Sequence, residues 1–252
     1  MNPSPYPAPF NSAHVRANIV KILLIVDAVA TGISLLAEAL SVPFRLTDDQ
    51  ELGSNLMGAA IVLIMSLFAL LRLIIYLTTG VFFSMWLYRA YKNLRAFNPW
   101  RPLDSSPGWA VGSFFVPFVN LIVPYRAVKE VWQKSGLLDE ELLSEPSPPA
   151  LFPAWWLFWL LAAFSGNISM RVSFNENVSE STATMIAMVA SVLSIVAAVF
   201  AYLVVDAIDK RQEETSGKLN LGKFTGPPPP PANLAMLDVV TSTPGPSHSQ
   251  QR

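Results

Sequence analysis

Ser106-Pro-Gly-Trp-Ala-Val-Gly-Ser-Phe-Phe-Val-Pro-Phe-Val-Asn-Leu-Ile-Val-Pro124 is the stretch on which the fold of this chain turns. Its apolar part, Trp109–Val123, has 15 residues, is interrupted by Pro117 and is closed by Pro124. A helix that crosses a hydrocarbon core of about 30 Å needs about 20 apolar residues. Proline inside a helix removes a backbone donor and clashes with the preceding turn. The segment at about 107–125 is therefore expected to re-enter the membrane or lie at its interface. Before it, Asp104-Ser-Ser-Pro-Gly-Trp109 reads as a helix start, with serine as the cap and proline in the first turn. After it, Tyr125-Arg-Ala-Val-Lys-Glu-Val-Trp-Gln-Lys134 reads as an amphipathic basic helix.

Working outward, the other apolar runs are long. The expected spans are 19–40, 56–80, 151–170 and 184–206, which makes the chain an all-α integral membrane protein with a bundle of four transmembrane helices. Five spans would follow if the central segment crossed as well. Composition agrees: 52% of residues are hydrophobic and only 14% charged, where a soluble domain carries about 25%. The second run continues without a break to Leu87, too long for one crossing at 1.5 Å per residue. Its excess is expected to project as Trp86-Leu-Tyr-Arg-Ala-Tyr-Lys-Asn-Leu-Arg95, with Trp86, Tyr88 and Tyr91 forming an interfacial aromatic belt. Residues 1–15 and 211–252 are proline-rich and too polar to build a core, so they are expected to be disordered tails around a transmembrane domain at 16–210. Ala37-Glu38-Ala39 resembles a signal-peptide cleavage site, but the leader would be unusually long and would hold Asp27 in its apolar part, so an uncleaved anchor is the expectation.

Loop charge sets the orientation. With four spans, one side holds Arg16, seven basic residues of the 88–149 segment (Arg89 to Lys134), and Lys210, Arg211, Lys218 and Lys223, while the other holds only Arg45 and Arg171. The positive-inside rule then places both termini and the 88–149 segment in the cytoplasm. A spanning central segment would put Arg89–Arg101 and Arg126–Lys134 on opposite sides and lose this bias.

The residues offer little chemistry of the catalytic kind. Cysteine is absent, and the two histidines, His14 and His248, lie near the termini. This leaves no expected catalytic group, metal site or cofactor, and a net charge of −1 gives no reason to expect nucleic acid. Asp206 and Asp209 could be paired carboxylates, but an Asp206–Lys210 contact at i,i+4 is the simpler reading. Charges inside spans are costly and face the bundle interior. Asp27 and Arg72 lie at matching depths of antiparallel helices, so an ion pair between them is expected, as a packing clamp. Small residues at Ala183, Ala187, Ser191, Ser194, Ala198 and Ala201 form a stripe that permits close helix approach.

The residues around the central segment also resemble a known family. Trp86-Leu-Tyr-Arg-Ala-Tyr-Lys-Asn-Leu-Arg95, then Ser106-Pro-Gly-Trp-Ala-Val-Gly112, Val116-Pro-Phe-Val-Asn-Leu-Ile-Val-Pro-Tyr-Arg126 and Glu130-Val-Trp132 are similar to the bacterial membrane family called domain of unknown function 4328, over about residues 55–210. The resemblance implies a polytopic fold and a bacterial inner-membrane address, and no reaction. It singles out Arg89, Asn93, Trp109, Asn120, Pro124 and Arg126 as a motif of unknown role. The expected function is that of a non-enzymatic membrane protein whose basic aromatic region engages anionic lipid head groups or protein partners, the latter through its proline-rich tails. The alternative is a small channel or transporter-like pore that uses 107–125.

Overall fold

The structure is a computed structural model and describes residues 9–45, 56–137 and 146–221. Residues 1–8 and 222–252 of the tails expected at 1–15 and 211–252, with residues 46–55 and 138–145, lie outside the described residues. Four long helices carry the fold: α1 (His14–Arg45), α2 (Leu56–Phe97), α5 (Leu151–Ser173) and α6 (Glu180–Lys218). Each is long and apolar enough to cross a membrane. Helix α6 packs between α1 and α5, and α1 packs on α2, so the helices succeed one another as α2, α1, α6, α5. Ala190, Ala197, Ala198 and Ala201 are the buried small residues of α6. The expected small-residue stripe is thus shifted by part of a turn and keeps only Ala198 and Ala201 fully buried.

The central segment is a broken hairpin. Helix α3 (Pro107–Gly112) runs into a 3-10 turn at Ser113–Phe115, a bend, a second 3-10 turn at Val119–Leu121, and helix α4 (Val123–Lys134). Ser106 is the N-cap of α3 and accepts the Trp109 N–H at 3.1 Å, with Pro107 in the first turn. The bend after Pro117 places Phe118 at φ 65, a left-handed conformation that costs an aromatic residue strain energy. The two ends of the hairpin return to one place, where the Asp104 N–H donates to Glu130 Oε1 at 2.7 Å and Lys134 Nζ lies 3.4 Å from Asp104 Oδ1. Both ends of the segment therefore lie together at one end of the bundle.

The core also sits at that end. Ala17, Val20, Trp86, Leu87, Ala90, Tyr91, Val128, Val131, Phe152, Val204, Val205 and Ile208 are completely buried or nearly so. They come from the start of α1, the end of α2, α4, the start of α5 and the end of α6. By contrast, no residue in the most apolar 18-residue stretch of α2 is buried. A long helix with its apolar side chains facing outward suits a lipid surround and not water. Helix α2 is thus unpacked where it is most apolar and tightly packed beyond it, whereas a third of the equally apolar stretch of α6 is buried.

Three expectations change here. Trp86 and Tyr91 are not a belt, since both are fully buried and only Tyr88 of the three is exposed. The reason is that α2 continues as one helix to Phe97, so Trp86, Leu87, Ala90, Tyr91 and Leu94 fall on one face and form the core beyond the span. Nor does α6 stop near 206: it continues to Lys218 with Gln212, Thr215 and Ser216 buried. Likewise residues 9–13 are not free of the fold, because Ala13 is buried and Ser12 Oγ donates to Glu213.

Candidate functional site

The packed end carries a polar network, and its centre is Glu130 on α4. Tyr91 donates its hydroxyl to Glu130 Oε2 and accepts the Ser105 N–H at 3.0 Å. Lys134, one turn on from Glu130, reaches Glu130 Oε1 at 2.6 Å and the Pro102 carbonyl at 2.8 Å. Both charged side chains are 5% exposed. Tyr91 lies beyond the spanning part of α2. Its phenol is pushed well above the usual range by burial, and then by the hydrogen bond and charge of Glu130, so it stays a proton donor.

A second layer ties α2, α4 and α6 together. Gln212 Nε2 donates to the Ala90 carbonyl and to Ser135 Oγ, each at 2.9 Å, and Asn93 Nδ2 donates to Gln212 Oε1 at 3.2 Å. Asn93 Oδ1 accepts the Asn11 N–H at 3.4 Å, which draws the chain before α1 into the same layer. A third group joins α1 to α6. His14 Nδ1 lies 2.8 Å from Asp209 Oδ2, and Lys21 Nζ lies 3.1 Å from Asp206 and 3.6 Å from Asp209. Lys210 pairs with Asp206 at 2.7 Å, the expected i,i+4 contact, to which Lys21 adds a cross-helix partner. Buried polar groups this well satisfied fix how helices dock. Arg211 lies over the Trp132 ring at 4.4 Å and against Gly136, where a Cβ would collide with its guanidinium.

The residues expected to matter do not form a single site. Asn93 is in the buried layer. Pro124 is buried in the first turn of α4, and Arg126 is exposed on that helix. Asn120 belongs to the hairpin turn, where its N–H donates to the Val116 carbonyl at 3.0 Å. Trp109 is 47% exposed on α3. Arg89 donates through Nε to the Asn11 carbonyl at 3.1 Å and faces a groove between α1, α2 and α3. Arg72 does cross to α1, but its guanidinium donates to Thr31 Oγ1 at 2.9 Å and Ser34 Oγ at 3.1 Å. Among the described residues no ion pair joins it to Asp27, which lies one turn before Thr31. A hydroxyl on each of two successive turns of α1 takes one terminal nitrogen of the guanidinium without a second charge in the apolar region, while Nε is buried with no partner among the described residues.

Sequence reasoning passed over Gln212, Glu130, Lys134, Lys21 and Arg16. The signal for Gln212 was available: Val204, Val205, Ile208, Asp209, Gln212, Thr215 and Ser216 are all buried and keep helical spacing past the end of the apolar run. Lys134 reads in the sequence as a topological charge, yet it is buried and paired with Glu130. Among the described residues no group of His, Cys, Asp or Glu is arranged to hold a metal ion.

The aromatic residues complete the picture. Phe114 packs edge-on against Trp156 and Trp159, and Trp156 donates Nε1–H to the Leu121 carbonyl at 3.0 Å, so the hairpin turn leans on α5 about two turns in from its start. Phe115 and Phe118 at the turn are 75% and 84% exposed. No curated protein and no solved structure matches the chain. The family model described as Domain of unknown function (DUF4328) matches residues 50–210, a range that takes in α2, the hairpin, α5 and the spanning part of α6, and the chain belongs to that family.

Proposed function

We propose that this chain is a non-enzymatic protein of a bacterial inner membrane, with both termini and the 88–149 region in the cytoplasm, whose hairpin and basic head engage the anionic leaflet. The observation that carries this reading is the polarity of the hairpin. Its ends are held by the Asp104–Glu130–Lys134 contacts, while its turn presents Phe115 and Phe118 outward. Aromatic rings so exposed are unfavourable in water and favourable at the boundary between head groups and acyl chains. Lys92, Arg95 and Arg126, exposed on the outer faces of α2 and α4, add attraction to anionic lipid of about 1 kcal/mol each. The proline-rich sequence on the same side would offer sites for protein partners. The pore alternative requires a polar path past Asn120.

The test uses the absence of native cysteine. Phe115→Cys and Phe118→Cys, each labelled with a nitroxide in vesicles, should be more accessible to dissolved oxygen than to a water-soluble nickel chelate. Lys92→Cys should show the reverse. If all three sites report water, the hairpin does not enter the leaflet and the reading fails.

A further inference from the structure

The groove beside Arg89 has a volume of about 420 Å³ and is walled by Arg16 of α1, Ser84, Met85, Tyr88 and Arg89 of α2, and Gly108 of α3. Among the described residues no carboxylate lines it. Other cations drawn into this end of the molecule meet an acid: Lys21 meets Asp206 and Asp209, Lys134 meets Glu130, and Lys210 meets Asp206. Arg89 spends only Nε, on the Asn11 carbonyl. Arg16 makes no hydrogen bond or ion pair among the described residues. The two guanidiniums are near enough to feel each other, for burial and then the charge of Arg16 hold Arg89 below the usual arginine range. Two like charges sharing a partly buried groove without a counter-charge are an anion site.

Its place on the molecule says which anion. Leu77, Val81, Met85 and Tyr88 follow one another at spacings of three and four along α2, and all four are exposed. The stripe runs from the groove straight onto the apolar face of the span, and exposed Trp109 on α3 stands beside Gly108. A ligand that fits this pattern has a phosphate at one end and hydrocarbon at the other. The geometry points to a specific phospholipid site: the phosphate of an anionic phospholipid sits between Arg16 and Arg89, with an acyl chain along Met85, Val81 and Leu77. This rests on the leaflet-facing reading above and narrows it from a diffuse basic surface to one groove.

Gly108 supplies the control. A Cβ there meets nothing within 4 Å, so Gly108→Leu adds bulk to the groove without removing a charge. The purified full chain is equilibrated with mixed phosphatidylglycerol and phosphatidylcholine, and the lipid retained is measured by native mass spectrometry. Wild type should retain phosphatidylglycerol preferentially. Arg16→Gln with Arg89→Gln should weaken that retention roughly 5- to 30-fold, Gly108→Leu should weaken it comparably, and Arg171→Gln, exposed in the last turn of α5 away from the groove, should change it less than twofold. Unchanged retention in Gly108→Leu overturns the site even if the double arginine variant folds poorly. Loss confined to Lys92→Gln with Arg126→Gln also overturns the groove while leaving the leaflet-facing head intact. No preference for phosphatidylglycerol in wild type overturns both. Full displacement of the lipid by millimolar inorganic phosphate makes the groove a soluble-phosphate site and overturns the lipid assignment.

Discussion

Glu130 shows what a single residue does in this fold. It sits at the base of the hairpin and accepts from Tyr91, the Asp104 backbone and Lys134. Removing one partner of a buried pair leaves the other charged and desolvated, at a cost of about 3–5 kcal/mol. Glu130→Gln is therefore expected to lower the thermal unfolding midpoint in detergent markedly, and Glu130→Gln with Lys134→Met should recover much of the loss. If the double variant is as unstable as the single one, the ion pair is not what Glu130 contributes. Arg72 makes a different case. Its hydrogen bonds go to Thr31 and Ser34 and not to Asp27, so double-mutant cycles in the membrane should give Arg72→Gln a larger coupling to Thr31→Val than to Asp27→Asn. Coupling energies between membrane helices average about 0.6 kcal/mol, so the contrast is small but measurable. A dominant coupling to Asp27 would restore the ion pair. The depth match between Asp27 and Arg72 was legible in the sequence. The hydroxyls were not, because Thr31 and Ser34 are unremarkable in any helix until a guanidinium is seen to reach them.

At the scale of elements, the decisive parts are those that outrun the bilayer. Helix α2 has 42 residues and α6 has 39, each about twice what one crossing needs. Their extra turns, the start of α1 and α4 build the packed head. Residues 211–218 are thus part of the fold, through Gln212 above all. A chain ending after Leu221 should keep the wild-type unfolding midpoint, whereas one ending after Lys210 should lose the Gln212 layer and unfold well below it. Equal midpoints for the two would show that the end of α6 is dispensable. The long apolar runs, the helix start at Ser106 and the break at Pro117 could all be read from sequence, since each rests on local chemistry. The head could not. Its packing uses Trp86, Tyr91 and Gln212, which a reading by hydropathy assigns to the interface or to a solvated tail, because hydropathy averages over the helix faces that packing separates.

For the molecule as a whole, the densest packing lies beyond the most apolar stretches. The apolar stretch of α2 turns its side chains outward, that of α6 buries a third of its residues, and the head supplies the polar contacts that fix the helix arrangement. The hairpin joins the two regions, tied to the head at Asp104, Glu130 and Lys134 and leaning with Phe114 and Leu121 on the tryptophans of α5. If this account holds, the flanks of the hairpin share one aqueous compartment with each other and with both termini. Single cysteines at Arg95, Arg126 and Ser12, placed in the cysteine-free chain and exposed to a membrane-impermeant maleimide, measure this directly. All three should react in inverted inner-membrane vesicles and stay protected in intact spheroplasts. Labelling of Arg95→Cys and Arg126→Cys from opposite sides would mean that 107–125 crosses the membrane, and would contradict the four-span fold with its returning hairpin.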